Sequence, residues 1–154
     1  MRYNWKQLNN LQVGTFSEYF VKMEMTMYGL QVYSTEVDDQ GIDFVVRFKS
    51  GPFYLIQVKS TRGMNYIYMQ KDKFELSSNT YLALAILDEG KEPRLFLIPS
   101  EAWKQPNKLF VGRDYEGKKS KPEWGVNLSQ VNMKLLEQYS FDVMIEKLKE
   151  KKDS

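Results

Sequence analysis

The sequence predicts an α/β (α+β) fold, in which a central mixed sheet is flanked by helices and further helices follow at the C-terminus. Three observations carry that reading. Phe16, Phe20, Met23, Met27 and Leu30 recur at steps of four and three, the period of one helical face. Short β-branched runs follow over residues 31–60. Tyr81 to Leu87 is then an unbroken apolar run ending at Asp88-Glu89-Gly90, as expected of a strand buried on both faces.

Taken in order, residues 13–29 read as a helix, with Thr15 as a candidate cap and Gly29 as a natural stop. Gln31 to Val37 alternates roughly and reads as a strand, and Asp38-Asp39-Gln40-Gly41 carries turn chemistry. Ile42–Lys49 and Phe53–Ser60 read as two strands joined by a hairpin turn at Ser50-Gly51-Pro52. Residues 61–80 are mixed, with a short helix near Lys71 to Leu76. After the apolar strand, Arg94–Ile98 is a further strand and Pro99–Trp103 a helical turn. Residues 104–122 contain Pro106, Gly112, Gly117 and Pro122 and read mainly as loop. Ser129 to Lys151 is helical again, with a break near Ser140.

At 154 residues the chain has the length of one domain, 1–154, and 42% hydrophobic residues give it a core. The net charge of +2 argues against a binder driven by a basic tail, but leaves room for a local basic groove. The chain contains no Cys and no His. Thiol nucleophiles, Ser-His-Asp triads and Cys- or His-held metals are therefore excluded. A metal held by the protein must sit on oxygen, which selects Mg²⁺, Mn²⁺ or Ca²⁺. No apolar run approaches the roughly 20 residues of a membrane helix, and no signal core follows the first residues, so the expected location is the cytoplasm.

One constellation carries chemistry. Asp43 opens an apolar strand, and Gln57 and Lys59 lie two apart on the next, so both project from one face. With the hairpin centred near residues 50 and 51, Asp43 falls opposite 57 and 58. Cross-strand neighbours approach to about 5 Å at Cβ, close enough to share an ion. Asp43, the Gln57 side-chain oxygen and the Val58 carbonyl are thus candidate ligands for a hard divalent cation. Lys59 is placed to orient a water for attack on a phosphodiester.

An Asp opening a strand, a hairpin, and Glu/Gln-x-Lys on the next strand resembles the pattern of the PD-(D/E)XK nuclease superfamily. The Gln-x-Lys form is similar to its methyl-directed (Mrr-like) restriction endonucleases. Gly41-Ile42-Asp43 with Gln57-Val58-Lys59-Ser60 looks closer still to small prokaryotic members without an assigned function. The resemblance covers residues 13–103. It implies a restriction-endonuclease-like αβββαβ core and divalent-metal-dependent hydrolysis of nucleic acid, DNA before RNA, with Mg²⁺ or Mn²⁺. It also implies that Glu18, on the first helix, assists the metal site. Two departures stand out: Ile42 replaces the motif proline, and Gln57 replaces the usual acidic residue. The competing reading is a nuclease-like module that has lost catalysis and retains nucleic-acid or protein binding. No membrane partner is expected, and a homodimer stays open.

Each candidate has a plainer reading. Asp43 can be a turn residue bonding local backbone. Thr15-Phe16-Ser17-Glu18 fits a capping box in which Glu18 bonds back to Thr15. Residues 104–121 hold an excess of four positive charges, so Lys118, Lys119 and Lys121 can lie along phosphates or merely be solvated. Arg62 and Tyr66, with Tyr68, are candidates to meet a backbone or base, or else to serve the core. Lys147 to Lys152 suits the C-terminal end of a helix dipole.

Overall fold

The computed structural model of the chain describes residues 1–36 and 41–152. The expected turn at Asp38-Asp39-Gln40, and Val37 at the end of the expected first strand, lie outside the described residues.

Helix α1 spans Asn10–Met27 and starts three residues before the expected position. Its cap is Asn9, not Thr15. The Asn9 side chain accepts from Gln12 N–H at 2.8 Å, and the Gln12 side chain accepts from Asn9 N–H at 2.9 Å, so both partners of a capping box are present. Thr15 therefore lies inside the helix, and the capping role considered for Glu18 falls away. The buried face is Val13, Ser17, Val21 and Met25. The expected stripe was read one face too far round: Phe16 and Phe20 are half-buried, while Met23 and Met27 are 56% and 80% exposed. Phe16 instead packs edge-on against the buried Trp5, at 5.0 Å between ring centroids.

The main sheet has five strands in the order β1-β2-β3-β5-β6. These are β1 Gln31–Ser34, β2 Phe44–Arg47, β3 Phe53–Arg62, β5 Thr80–Leu87 and β6 Arg94–Pro99. β3 and β5 run parallel and the other neighbours antiparallel, giving the mixed sheet that the sequence predicts. β5 is buried at every position, as its unbroken apolar run requires. One face of the sheet presents Phe44, Val46, Ile56, Ala83 and Leu97 to Val21 and Met25 of α1 and to Ile145 and Leu148 of α3 (Phe141–Glu150). A short α2, Met133–Glu137, precedes α3, and the break falls at Ser140 as expected.

The opposite face is covered mainly by a second sheet, together with Leu136 of α2 and Trp103 of the 3₁₀ turn Ser100–Lys104. That sheet is formed by β4 Ile67–Gln70, β8 Glu123–Val126 and β7 Phe110–Arg113, paired in that order. Ile67, Met69, Phe110 and Val126 pack from it onto Leu82, Leu84, Ile86 and Ile98. Of the segment 104–122, read mainly as loop, only Phe110–Arg113 is strand and most of the rest is irregular. Gly112 serves that strand rather than a turn, since a Cβ on it would lie 2.9 Å from the Trp124 ring, and on β8 a Cβ at Gly125 would collide with the Tyr66 phenol. The helix expected at Lys71–Leu76 is one 3₁₀ turn, Lys71–Lys73. Because the second sheet lies over β5 and β6, the outer face of β3 is left beside the free edge of β4.

Candidate functional site

The β2–β3 ladder ends at Phe44↔Ile56. One residue beyond, the Asp43 N–H donates to the Ile56 carbonyl at 2.9 Å, and the Asp43 Oδ2 accepts from the Val58 N–H at 2.7 Å. The carboxylate thus takes the place of a backbone acceptor and extends the pairing by one bond. Asp43 stands beside Val58, with Gln57 and Lys59 flanking it, which is the neighbourhood expected from the hairpin count. Gly41, two residues before Asp43, has φ +77°, and a Cβ there would lie 2.5 Å from the Lys73 carbonyl oxygen. Only glycine fits both conditions.

Gln57 and Lys59 pair across to Leu82 and Leu84 and share the face of β3 that looks toward β4. Both line an open groove of about 460 Å³ whose other wall is Tyr66 to Gln70, with Lys73 at one end. Gln57 also lines a second cavity of about 350 Å³ toward Leu55 and Thr80. The Gln57 Oε1 is buried and finds no hydrogen-bond partner among the described residues. An orphaned buried amide oxygen costs about 1–3 kcal/mol, so it requires a reason.

The other candidates are distributed unevenly. Glu18 lies within α1 and pairs with Lys22 at 3.2 Å. The Lys22 Nζ in turn lies 3.4 Å from Ser34 Oγ, and Ser34 is the strand partner of Phe44. Glu18 is therefore at the Asp43 end of the sheet, reached through Lys22. Arg62 does not face the groove. Its guanidinium donates to the Trp5 carbonyl at 3.0 Å, the Leu8 carbonyl at 2.6 Å and Asn10 Oδ1 at 2.7 Å, tying β3 to the start of α1. Tyr66 lines the groove, but its hydroxyl donates to the buried Glu123 and its ring lies under the Arg113 guanidinium at 4.3 Å. Burial, and then the bond to Glu123, push the Tyr66 phenol well above the usual tyrosine range, so it stays a neutral donor. Lys118, Lys119 and Lys121 sit in the β7–β8 connection, where Lys121 pairs with Asp72 at 3.6 Å. Sequence reasoning missed Lys73 and Gln70, which line the groove only because β4 folds back along β3. No local pattern announces that return.

Among the described residues no three His, Cys, Asp or Glu side chains gather as a metal centre. The oxygen donors nearest in the chain pairing are the Asp43 carboxylate, bonded to the Val58 N–H, and the neighbouring Gln57 Oε1, which has no hydrogen-bond partner among the described residues. An all-oxygen set of this kind suits a hard divalent cation.

No family model matches the chain, and no curated protein matches it. Among solved structures, the fold is similar to that of Archaeoglobus fulgidus Hjc, a Holliday junction resolvase from an archaeal hyperthermophile. The TM-score is 0.55 with 12% identity, over 86% of this chain and 95% of that one.

Proposed function

We propose that the chain is a divalent-metal-dependent nuclease that hydrolyses phosphodiester bonds in DNA, of the PD-(D/E)XK kind and in the Gln-x-Lys form. The observation that carries this is the Asp43 carboxylate bonded to the Val58 N–H, between Gln57 and Lys59 in the chain, where Gln57 and Lys59 line an open groove and the Gln57 Oε1 is buried without a hydrogen-bond partner among the described residues. The likeness to a Holliday junction resolvase supports a nuclease fold.

Asp43, oriented by the Val58 N–H, would hold Mg²⁺ or Mn²⁺ together with Gln57 Oε1 and the Val58 carbonyl. That ion would supply charge stabilisation at the scissile phosphate. Lys59 projects into the groove and orients the attacking water. Its point charge gains strength as negative charge develops on the phosphate oxygens, so it acts on the transition state more than on the bound ground state. Glu18 acts on this site through Lys22, as a positioning residue.

A second reading has its own support. Gln57 is neutral where a carboxylate would hold the ion more firmly, which suits a module that binds nucleic acid without cutting it. Incubation with Mg²⁺ or Mn²⁺ on single-stranded, duplex and branched DNA separates the two. Cleavage by the parent that disappears in Lys59→Ala, with binding retained, supports the nuclease. No cleavage by the parent or by Gln57→Glu leaves the binding module.

A further inference from the structure

The wall of the groove that faces Lys59 is an edge strand. β4 pairs with β8, and its other edge is open. The Lys71 N–H donates to the Pro122 carbonyl at 2.9 Å, which makes Ile67↔Val126 and Met69↔Trp124 the hydrogen-bonded pairs of this antiparallel ladder. The alternate residues, Tyr68 and Gln70, therefore turn their N–H and C=O groups away from β8, to the open edge. The other side of β8 agrees with this alternation. There the Asn127 N–H donates to the Leu109 carbonyl at 2.8 Å, so Gly125 and Glu123 bond toward β7 and not toward β4. Tyr68 and Gln70 line the same groove that Gln57 and Lys59 line from β3.

The same alternation sorts the side chains. Ile67 and Met69 are buried against the main sheet, so Tyr66, Tyr68 and Gln70 project from the other face of β4. Tyr66 is fixed there. Its hydroxyl donates to the buried Glu123, the Arg113 guanidinium lies 4.3 Å from its ring centroid, and the ring occupies the space that a Cβ on Gly125 would need. The Tyr68 ring stands beside it, 20° from parallel with 6.3 Å between centroids. Tyr66 thus has its reasons in the fold. Tyr68 does not: it is 50% exposed, a large ring on an open edge where a charged side chain would guard better against chance pairing. Lys59 and Lys73, in the same groove, form no ion pair with a carboxylate among the described residues. An open ring held against a fixed one, with ammonium groups close by, is what an unpaired nucleotide recognises: the base on the ring, the phosphate on the cation.

We infer that Tyr68 is the stacking platform for an unpaired base of the strand whose phosphate lies at Lys59, which makes single-stranded or locally melted DNA the substrate class. The position of that phosphate rests on the nuclease reading; the binding does not. The groove, at about 460 Å³, falls within the ~300–1,000 Å³ of small-ligand sites, room for a nucleotide and not for a turn of duplex. A base inside continuous duplex keeps both faces against its neighbours, so it cannot offer one to the ring without leaving the stack. The N–H and C=O groups of Tyr68 and Gln70 on the open edge supply donors and acceptors for the rim of such a base or its sugar. Stacking accepts any base, so the preference is for unpaired structure and not for sequence.

The test is binding of the full chain, without divalent metal, to three labelled probes: a strand of about 12 thymidines, an abasic sugar–phosphate strand of that length, and a duplex of that length. The parent should bind the thymidine strand more tightly than the other two. Loss of one stacked base lowers affinity by about 5- to 150-fold, so Tyr68→Ala should weaken binding of the thymidine strand by that factor and bind the abasic strand like the parent. Its salt slope should stay parental, since the ring carries no charge. Tyr68→Phe keeps the ring and should bind like the parent. Parental binding of thymidines by Tyr68→Ala would overturn the platform, as would a loss shared by the abasic strand, or equal binding of thymidine strand and duplex by the parent. Cleavage is read separately, with Mn²⁺. If the parent shows the expected binding but cleaves nothing, the nuclease reading fails and the platform stands. If the parent cleaves while Tyr68→Ala binds thymidines like the parent, the reverse holds.

Discussion

Asp43 is given two roles by its position, and a pair of substitutions separates them. Its carboxylate accepts the Val58 N–H at 2.7 Å in place of a missing backbone acceptor. Asp43→Ala removes that acceptor beside a partly buried strand, and a hydrogen bond to a charged group is worth about 1.5–3 kcal/mol. At roughly 2–4 °C per kcal/mol for a chain of this size, melting should fall by about 3–12 °C. Asp43→Asn keeps an oxygen for the Val58 N–H, so its loss should stay under about 1.5 kcal/mol, the worth of a neutral hydrogen bond. It nevertheless removes the carboxylate bonded to the Val58 N–H, between Gln57 and Lys59. The assay is thermal unfolding paired with Mn²⁺-dependent cleavage of labelled DNA. The expected pattern is Asn near the parent in stability and inactive in cleavage, with Ala low in both. An active Asp43→Asn protein would refute the metal role, and an Ala variant as stable as the parent would refute the strand-extending bond.

Other outcomes follow from the same geometry. Gln57→Glu should tighten Mn²⁺, read by calorimetry, because a carboxylate replaces a neutral amide at a hard cation. Arg62→Ala should lower stability by about 2–3 kcal/mol in urea titration, through the loss of a charged donor to three acceptors, and leave the salt slope of DNA binding parental. Gly125→Ala should destabilise by about 1–3 kcal/mol, since the new methyl displaces the Tyr66 ring. Charge reversal at Lys118, Lys119 and Lys121 should weaken DNA binding across sequences and flatten its salt dependence, with Lys121 contributing least because it already faces Asp72.

What the sequence made legible was the local part of the structure. The β2–β3 hairpin follows from Ser50-Gly51-Pro52, and counting outward from it places Asp43 beside Val58. The burial of β5 follows from seven consecutive apolar residues. The α1 stripe was misread because two apolar faces compete on that helix. Phe16 and Phe20 are the larger residues, but Val13, Val21 and Met25 fit the close approach to the sheet, and Trp5 then covers part of the aromatic face. The second sheet was illegible for a different reason. Its strands have four residues each, β4 pairs with β8 from the far side of β5 and β6 in sequence, and its glycines serve neighbouring rings rather than turns. Without that sheet the groove has one wall, so Lys73 and Gln70 could not be read from the motif.

The weight of the functional reading shifts once the hydrogen bonds are known. Asp43 and Lys59 together are what an enzyme of this kind needs and a bare scaffold does not. Yet Asp43 has a structural reason to be where it is: a chain that never binds metal would still use it to cap the ladder at Val58. Its presence alone therefore does not discriminate. Gln57 is different, because its Oε1 is buried without a hydrogen-bond partner among the described residues, where Leu or Val would suit a strand paired beside Leu82. Lys59 is likewise on the groove wall, with no carboxylate paired to it among the described residues. On the proposed nuclease reading, a bound cation with a phosphate would give both the Gln57 oxygen and the Lys59 ammonium, two residues apart on one face, a partner. Activity and metal affinity in Gln57 and Lys59 variants are thus the decisive measurements, and Asp43 variants become interpretable only when stability is measured beside them.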